Sequence, residues 1–138
     1  MVKRYLKETG TPWIRTLADP SSGNTIAVAE ITLVEVAAAL AARHRVEDIT
    51  IGERDEALAL FLNHYVNEYE ITTTERPILD RAVNLTQNHR LRGYDAVQLA
   101  TSLAASDLPD LAFIAADEDL VSAARTGGLQ TNNPNLHQ

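Results

Sequence analysis

The apolar positions of the sequence fall into two alternating rhythms. Short β-branched or apolar runs stand at residues 25–29 (TIAVA), 69–73 (YEITT), 111–116 (LAFIAA) and 129–131 (LQT), which have the length and composition of strands. Longer stretches with helical spacing lie between them. TLVEVAAALAARH, from Thr32, is rich in the strong helix formers Ala and Leu. Residues 52–67 carry Ala57, Leu58, Leu60, Phe61, His64 and Tyr65 at helical intervals, and residues 75–88 carry Ile78, Leu79, Ala82, Val83 and Leu85. After a break at Leu91–Tyr94, Asp95 leads a small-residue helix, AVQLATSLAAS, whose composition predicts burial, and residues 117–125 predict a helix ended by Gly127-Gly128. At the start, VKRYLKE reads as a helical piece stopped at Gly10, followed by a short helix PWIRTLAD and a turn cluster DPSSGN. The tail NNPNLHQ is polar.

Strands that alternate with helices imply βαβ units and a mostly parallel sheet. No repeat or long linker divides the 138 residues, so a single domain is expected. In open sheets of this kind ligands sit beyond the C-terminal ends of the strands, which directs attention to the polar residues there. Glu30 follows TIAVA, and Glu35 comes one turn into the next helix. Asp95 precedes AVQLA, and Asp117 follows AFIAA with Asp119 two residues on. Clustered carboxylates repel one another unless a cation or protons neutralise them. Hard oxygen donors suit Mg²⁺ or Mn²⁺ better than zinc, and such an ion activates water and stabilises phosphoryl displacement. A plainer reading competes: Asp95 and Asp117 stand where helix N-caps stand. Glu35, between Val34 and Val36, is either exposed on a narrow polar face or placed for function. Glu30, Asp107, Asp110 and Asp119 read as solvated surface charges.

Composition narrows the field. The sequence has no Cys, which removes disulfides, thiolate metal sites and a Cys nucleophile. Twelve Lys and Arg face 19 Asp and Glu, a net charge of −7. Nucleic-acid binding by overall charge is therefore excluded; a metal or a local basic patch would have to offset the repulsion, and a basic partner is the other beneficiary. No apolar run approaches the roughly 20 residues of a membrane helix, and no secretory signal follows the basic start, so a cytoplasmic protein is expected. The motifs GxxxxGK[ST], GxGxxG and GxSxG are absent, and His44, His64, His89 and His137 lack metal-ligand spacing.

Three runs, ITLVEVAAALAAR, LRGYDAVQLATSLA and FIAADEDLVSAARTGGLQTNNP, together with VKRYLKETGT at the start, resemble the PIN-domain family, and within it the VapC-type toxins of bacterial toxin–antitoxin pairs. The resemblance spans essentially the whole sequence, and LRGYDAVQLA is its most specific piece. It implies a three-layer α/β/α PIN-like fold with a mostly parallel central sheet and a metal-dependent endoribonuclease that cuts RNA and is inhibited by a cognate antitoxin. Glu35, Asp95 and Asp117 match the family's acids and would hold Mg²⁺ or Mn²⁺, with Asp119 as a possible addition. A homodimer is also expected. The sequence departs from the family at its start, where a strand and an Asp-x-Ser-Ala-Leu stretch usually precede a segment like VKRYL, and at Ala29 and Ala115, where Ser or Thr is common. An N-terminally truncated PIN-like domain with a misplaced start, poor at cutting RNA as given, is the expectation. The alternative is a catalytically impaired PIN-like domain that only binds a partner or RNA.

Overall fold

A computed structural model describes residues Met1–Gln138, and its elements are mixed α/β. In order they are α1 (Thr11–Leu17), β1 (Ala27–Ala29), α2 (Thr32–Arg45), α3 (Ile51–Asn67), β2 (Glu70–Thr72), α4 (Arg76–Asn88), α5 (Gly93–Ala104), β3 (Ala112–Ile114), α6 (Glu118–Thr126) and β4 (Gln130–Asn132), with single 3₁₀ turns at Val2–Arg4, Pro20–Ser22 and Pro134–Leu136. The strands pair two by two, β1 with β2 and β3 with β4. The second pair is parallel, with Ala112 opposite Gln130 and Ile114 opposite Asn132. The residues divide into two compact units, Met1–Ile71 (with Gln138) and Thr72–His137.

In the first unit, α3 starts where a capping box starts it. The Thr50 side chain accepts from the Glu53 N–H at 3.1 Å, and the Glu53 carboxylate accepts from the Thr50 N–H at 2.7 Å. Its inward face delivers Ala57 and Phe61 to a core shared with Val36 and Leu40 of α2, Val28 of β1, and Tyr5 and Tyr69. Phe61 is completely buried, edge-on to Tyr5 with ring centres 5.5 Å apart. Along α3, Leu60, Leu62 and Val66 stay exposed.

The helix expected over VKRYLKE is only a 3₁₀ turn, because Arg4 and Tyr5 turn inward. Arg4 donates to Tyr69 Oη at 2.6 Å, to the Ala18 carbonyl at 3.2 Å and to Glu68 Oε2 at 2.8 Å. The Tyr5 and Tyr69 hydroxyls bond each other, and Tyr5 Oη lies 3.0 Å from His64 Nδ1. Arginine can only donate, so Tyr69 Oη accepts from Arg4. The Tyr69 hydroxyl proton faces Tyr5 Oη and, at 3.6 Å, Met1 Sδ. Tyr5 Oη and His64 Nδ1 share the next bond, and His64 Nε2 faces Glu68 Oε1 at 3.5 Å. Arg4, Tyr69, Tyr5 and His64 thus form one hydrogen-bonded chain, with Glu68 held against both its ends. Burial, helped by the Arg4 charge and opposed by Glu68, holds the His64 pKa below its ordinary 6.5. Burial and the bond to Tyr69 push the Tyr5 hydroxyl far above the usual phenol value.

In the second unit, α4 and α5 meet through Ala82, Ala96 and Ala100, small side chains that let the helices approach closely. A neighbouring cluster joins Leu99 of α5, Phe113 of β3, Leu120, Ala123 and Ala124 of α6, and Leu129. The β3–β4 pair and α6 wrap around it as one βαβ turn.

Candidate acidic site

The second unit positions two of the expected acids. Asp117 follows β3 directly and caps α6; its Oδ1 accepts from the Leu120 N–H at 2.9 Å. The other candidate cap, Asp95, is not one: Arg92 occupies the capping position of α5, and Gly93 opens the helix. Asp95 sits in the first turn instead, with Oδ2 accepting from Arg92 Nε at 3.0 Å, and its side chain is only 17% exposed. The partial positive charge of a helix N-terminus favours a carboxylate at either position. Asp119 lies in the first turn of α6 and is exposed.

Glu35 belongs to the first unit, half-buried in the first turn of α2 immediately beyond β1. It lies near the Met1 amino group: burial lowers that group's pKa, and Glu35 and Glu8 pull it the other way. Each of the three acids therefore occupies the first turn or cap of a helix, which is the local arrangement expected at the ends of strands.

The polar tail braces the turn that presents Asp117. The Ala115 N–H donates to the Asn132 carbonyl at 3.2 Å. The Asn133 and Asn135 amides both donate to the Ala116 carbonyl, at 3.5 and 3.4 Å. Asn132 Oδ1 in turn receives the Asn133 N–H at 2.9 Å and lies 2.8 Å from His137 Nε2. The signal was present in N-N-P-N, since Asn readily bonds nearby backbone and Pro fixes the turn.

As donors, the carboxylates suit Mg²⁺ by type: Asp95 and Asp117 each commit one oxygen and keep a second for a cation. Neither unit by itself gathers three His, Asp or Glu side chains into a group that could hold a metal ion. No model of a known protein family matches the sequence, and no curated protein matches it. No helix is long and apolar enough to cross a membrane.

Proposed function

We propose that the protein is a metal-dependent endoribonuclease of the VapC toxin type, built on a three-layer α/β/α PIN-like fold with a mostly parallel sheet. The observation that carries the reading is the setting of Asp95. It is a poorly exposed carboxylate in the first turn of α5, within the run LRGYDAVQLA that is the most specific part of the resemblance. Asp117 supports it from the cap of α6, and Glu35 from the first turn of α2. These are the residues that would hold Mg²⁺ or Mn²⁺, and the ion would supply a water acidified enough to attack a phosphodiester. The part of the chain itself is positioning: Arg92 orients Asp95, and the Leu120 N–H orients Asp117.

An antitoxin bearing arginine is the partner this acidic protein suits, since guanidinium groups pair bidentately with carboxylates. Leu60, Leu62 and Val66 on α3 are exposed apolar side chains available for a homodimer. A second reading, a PIN-like domain that binds without cleaving, draws on one observation: neither unit alone assembles three metal-binding side chains.

The test is cleavage of single-stranded and looped RNA with Mg²⁺ or Mn²⁺, with and without EDTA. Metal-dependent cleavage that falls about 10²-fold or more in Asp95→Asn is the expected result, the size of losing one preorganised electrostatic group. Full activity in Asp95→Asn, or cleavage indifferent to EDTA, overturns it.

A further inference from the structure

We propose that Asn133 is a positioning residue for Asp117: through the Ala116 carbonyl it sets how the Asp117 carboxylate is presented to a divalent cation. This rests on the metal half of the function proposed above and names the residue that governs one of its acids.

A polar side chain in a dry place is the starting point. Asn133 is 8% exposed, and a buried amide is costly unless its hydrogen bonds are made. Both ends of this amide are spent. Its Oδ1 accepts from the Asn135 N–H at 2.9 Å, the bond that opens the 3₁₀ turn Pro134–Leu136. Its Nδ2 donates to the Ala116 carbonyl at 3.5 Å, where the Asn135 amide also donates, at 3.4 Å. Each of these two bonds lies at the long end of the hydrogen-bond range, so the pair and not either member fixes the carbonyl. Asn133 governs both, one directly and the other by holding Asn135 in its turn.

The acceptor matters because of where it stands. The Ala116 carbonyl belongs to the planar peptide unit whose nitrogen is that of Asp117. One residue earlier, the Ala115 N–H donates to the Asn132 carbonyl at 3.2 Å and carries the β3–β4 pairing a step past Ile114. Residues 132–135 thus hold the backbone on the N-terminal side of Asp117. On its other side α6 holds it: the Val121 N–H donates to the Asp117 carbonyl at 3.0 Å, and the Leu120 N–H to Oδ1 at 2.9 Å. Asp117 is exposed, so a carboxylate without both restraints would turn freely in water. With them, Oδ1 stays on Leu120 and the second oxygen keeps one orientation. Mg²⁺ demands near-ideal geometry, and groups that hold a metal ligand from behind typically govern 10- to 100-fold of the affinity.

Two variants separate positioning from mere support. Asn133→Ser keeps an oxygen for the Asn135 N–H, since a Ser hydroxyl makes the same kind of turn, but lacks the amide that reaches Ala116. Asn133→Ala keeps neither bond. A control cuts a different tie in the same unit: Arg125 Nε donates to Thr131 Oγ1 at 2.8 Å and joins α6 to β4 without touching residues 115–117.

The full chain is read in two ways. Native-state amide exchange compares Leu120, bonded to the Asp117 side chain, with Val121, bonded to the Asp117 main chain. A loosened carboxylate releases the first and not the second. Leu120 exchange should therefore quicken about 2- to 10-fold relative to Val121 in Asn133→Ser, the net worth of one hydrogen bond. Mn²⁺ binding, followed without RNA by the paramagnetic resonance of the free ion, should weaken about 10-fold in Asn133→Ser and further in Asn133→Ala. Thr131→Val should leave both readouts at wild-type values. An unchanged Leu120 to Val121 ratio in both Asn133 variants, or Mn²⁺ affinity unchanged in them where Asp117→Asn weakens it, overturns the inference and leaves the nuclease reading standing. A wild type that binds no Mn²⁺ overturns the nuclease reading and the cation's part in this inference, while the exchange ratio still decides whether Asn133 positions Asp117.

Discussion

Replacing Tyr5 by Phe removes one oxygen from the middle of the buried hydrogen-bonded chain in the first unit, and the consequence can be worked out group by group. The Tyr69 hydroxyl loses its partner and keeps Met1 Sδ, 3.6 Å away, as a weak acceptor. His64 Nδ1 loses its partner, and with the side chain 15% exposed water reaches it only in part. An orphaned buried polar group costs about 1–3 kcal/mol. Partial rescue of both groups places the loss near the lower end, at about 1–2 kcal/mol, or roughly 3–8 °C in melting temperature for a protein of this size. Urea unfolding followed by the fluorescence of Trp13, the only tryptophan and part of α1, reads the first unit directly. The same side chains fix a pH dependence. Burial there favours neutral His64, whose folded pKa lies below the unfolded 6.5. The stability it contributes is thus fully present above about pH 6.5 and is lost as pH falls through the folded value. A Tyr5→Phe protein as stable as the wild type, or strictly additive losses in a Tyr5→Phe, Tyr69→Phe cycle, would refute the coupling of these hydroxyls.

Other substitutions test other joints. Asp117→Ala should destabilise by about 1 kcal/mol through loss of the α6 cap while Asp117→Asn retains most of it, so loss of RNA cleavage in the Asn variant at unchanged melting temperature separates chemistry from capping. Phe61→Ala empties a fully buried site beside Tyr5 and should cost about 3–5 kcal/mol in denaturant titrations. Gly127→Ala would set a methyl 2.7 Å from Leu103 Cδ2; because the end of a flexible side chain can move, a loss of about 1–2 kcal/mol is expected, and a stability equal to wild type would show that Leu103 has room to spare.

The alternation of strands and helices was legible because each element carries its own signal. Apolar spacing marks α3 to within one residue of its observed start at Ile51, and the run ILDRAVNL marks α4. Strand lengths were less legible. TIAVA and LAFIAA each contribute only three strand residues, Ala27–Ala29 and Ala112–Ile114. Asp117 could be read as a cap from D-E-D-L, whereas Asp95 was misassigned by one turn, since Gly93 and Tyr94 enter the helix ahead of it. The buried hydrogen-bonded chain had no local signature at all. Its partners lie 59 to 65 residues apart in sequence, and VKRYLKE alone has the composition of a helix. The bracing of Asp117 by Asn133 and Asn135 was hidden for the same reason, as it joins residues 17 and 19 positions apart.

The shielded Tyr5 hydroxyl gives the protein a built-in clock. A phenol whose ionisation is pushed so far upward cannot become phenolate while the core around Phe61 stays shut. In a jump to alkaline pH, its absorbance change must wait for the first unit to open. The slow fraction of tyrosinate formation therefore times that opening directly, with no label and no denaturant.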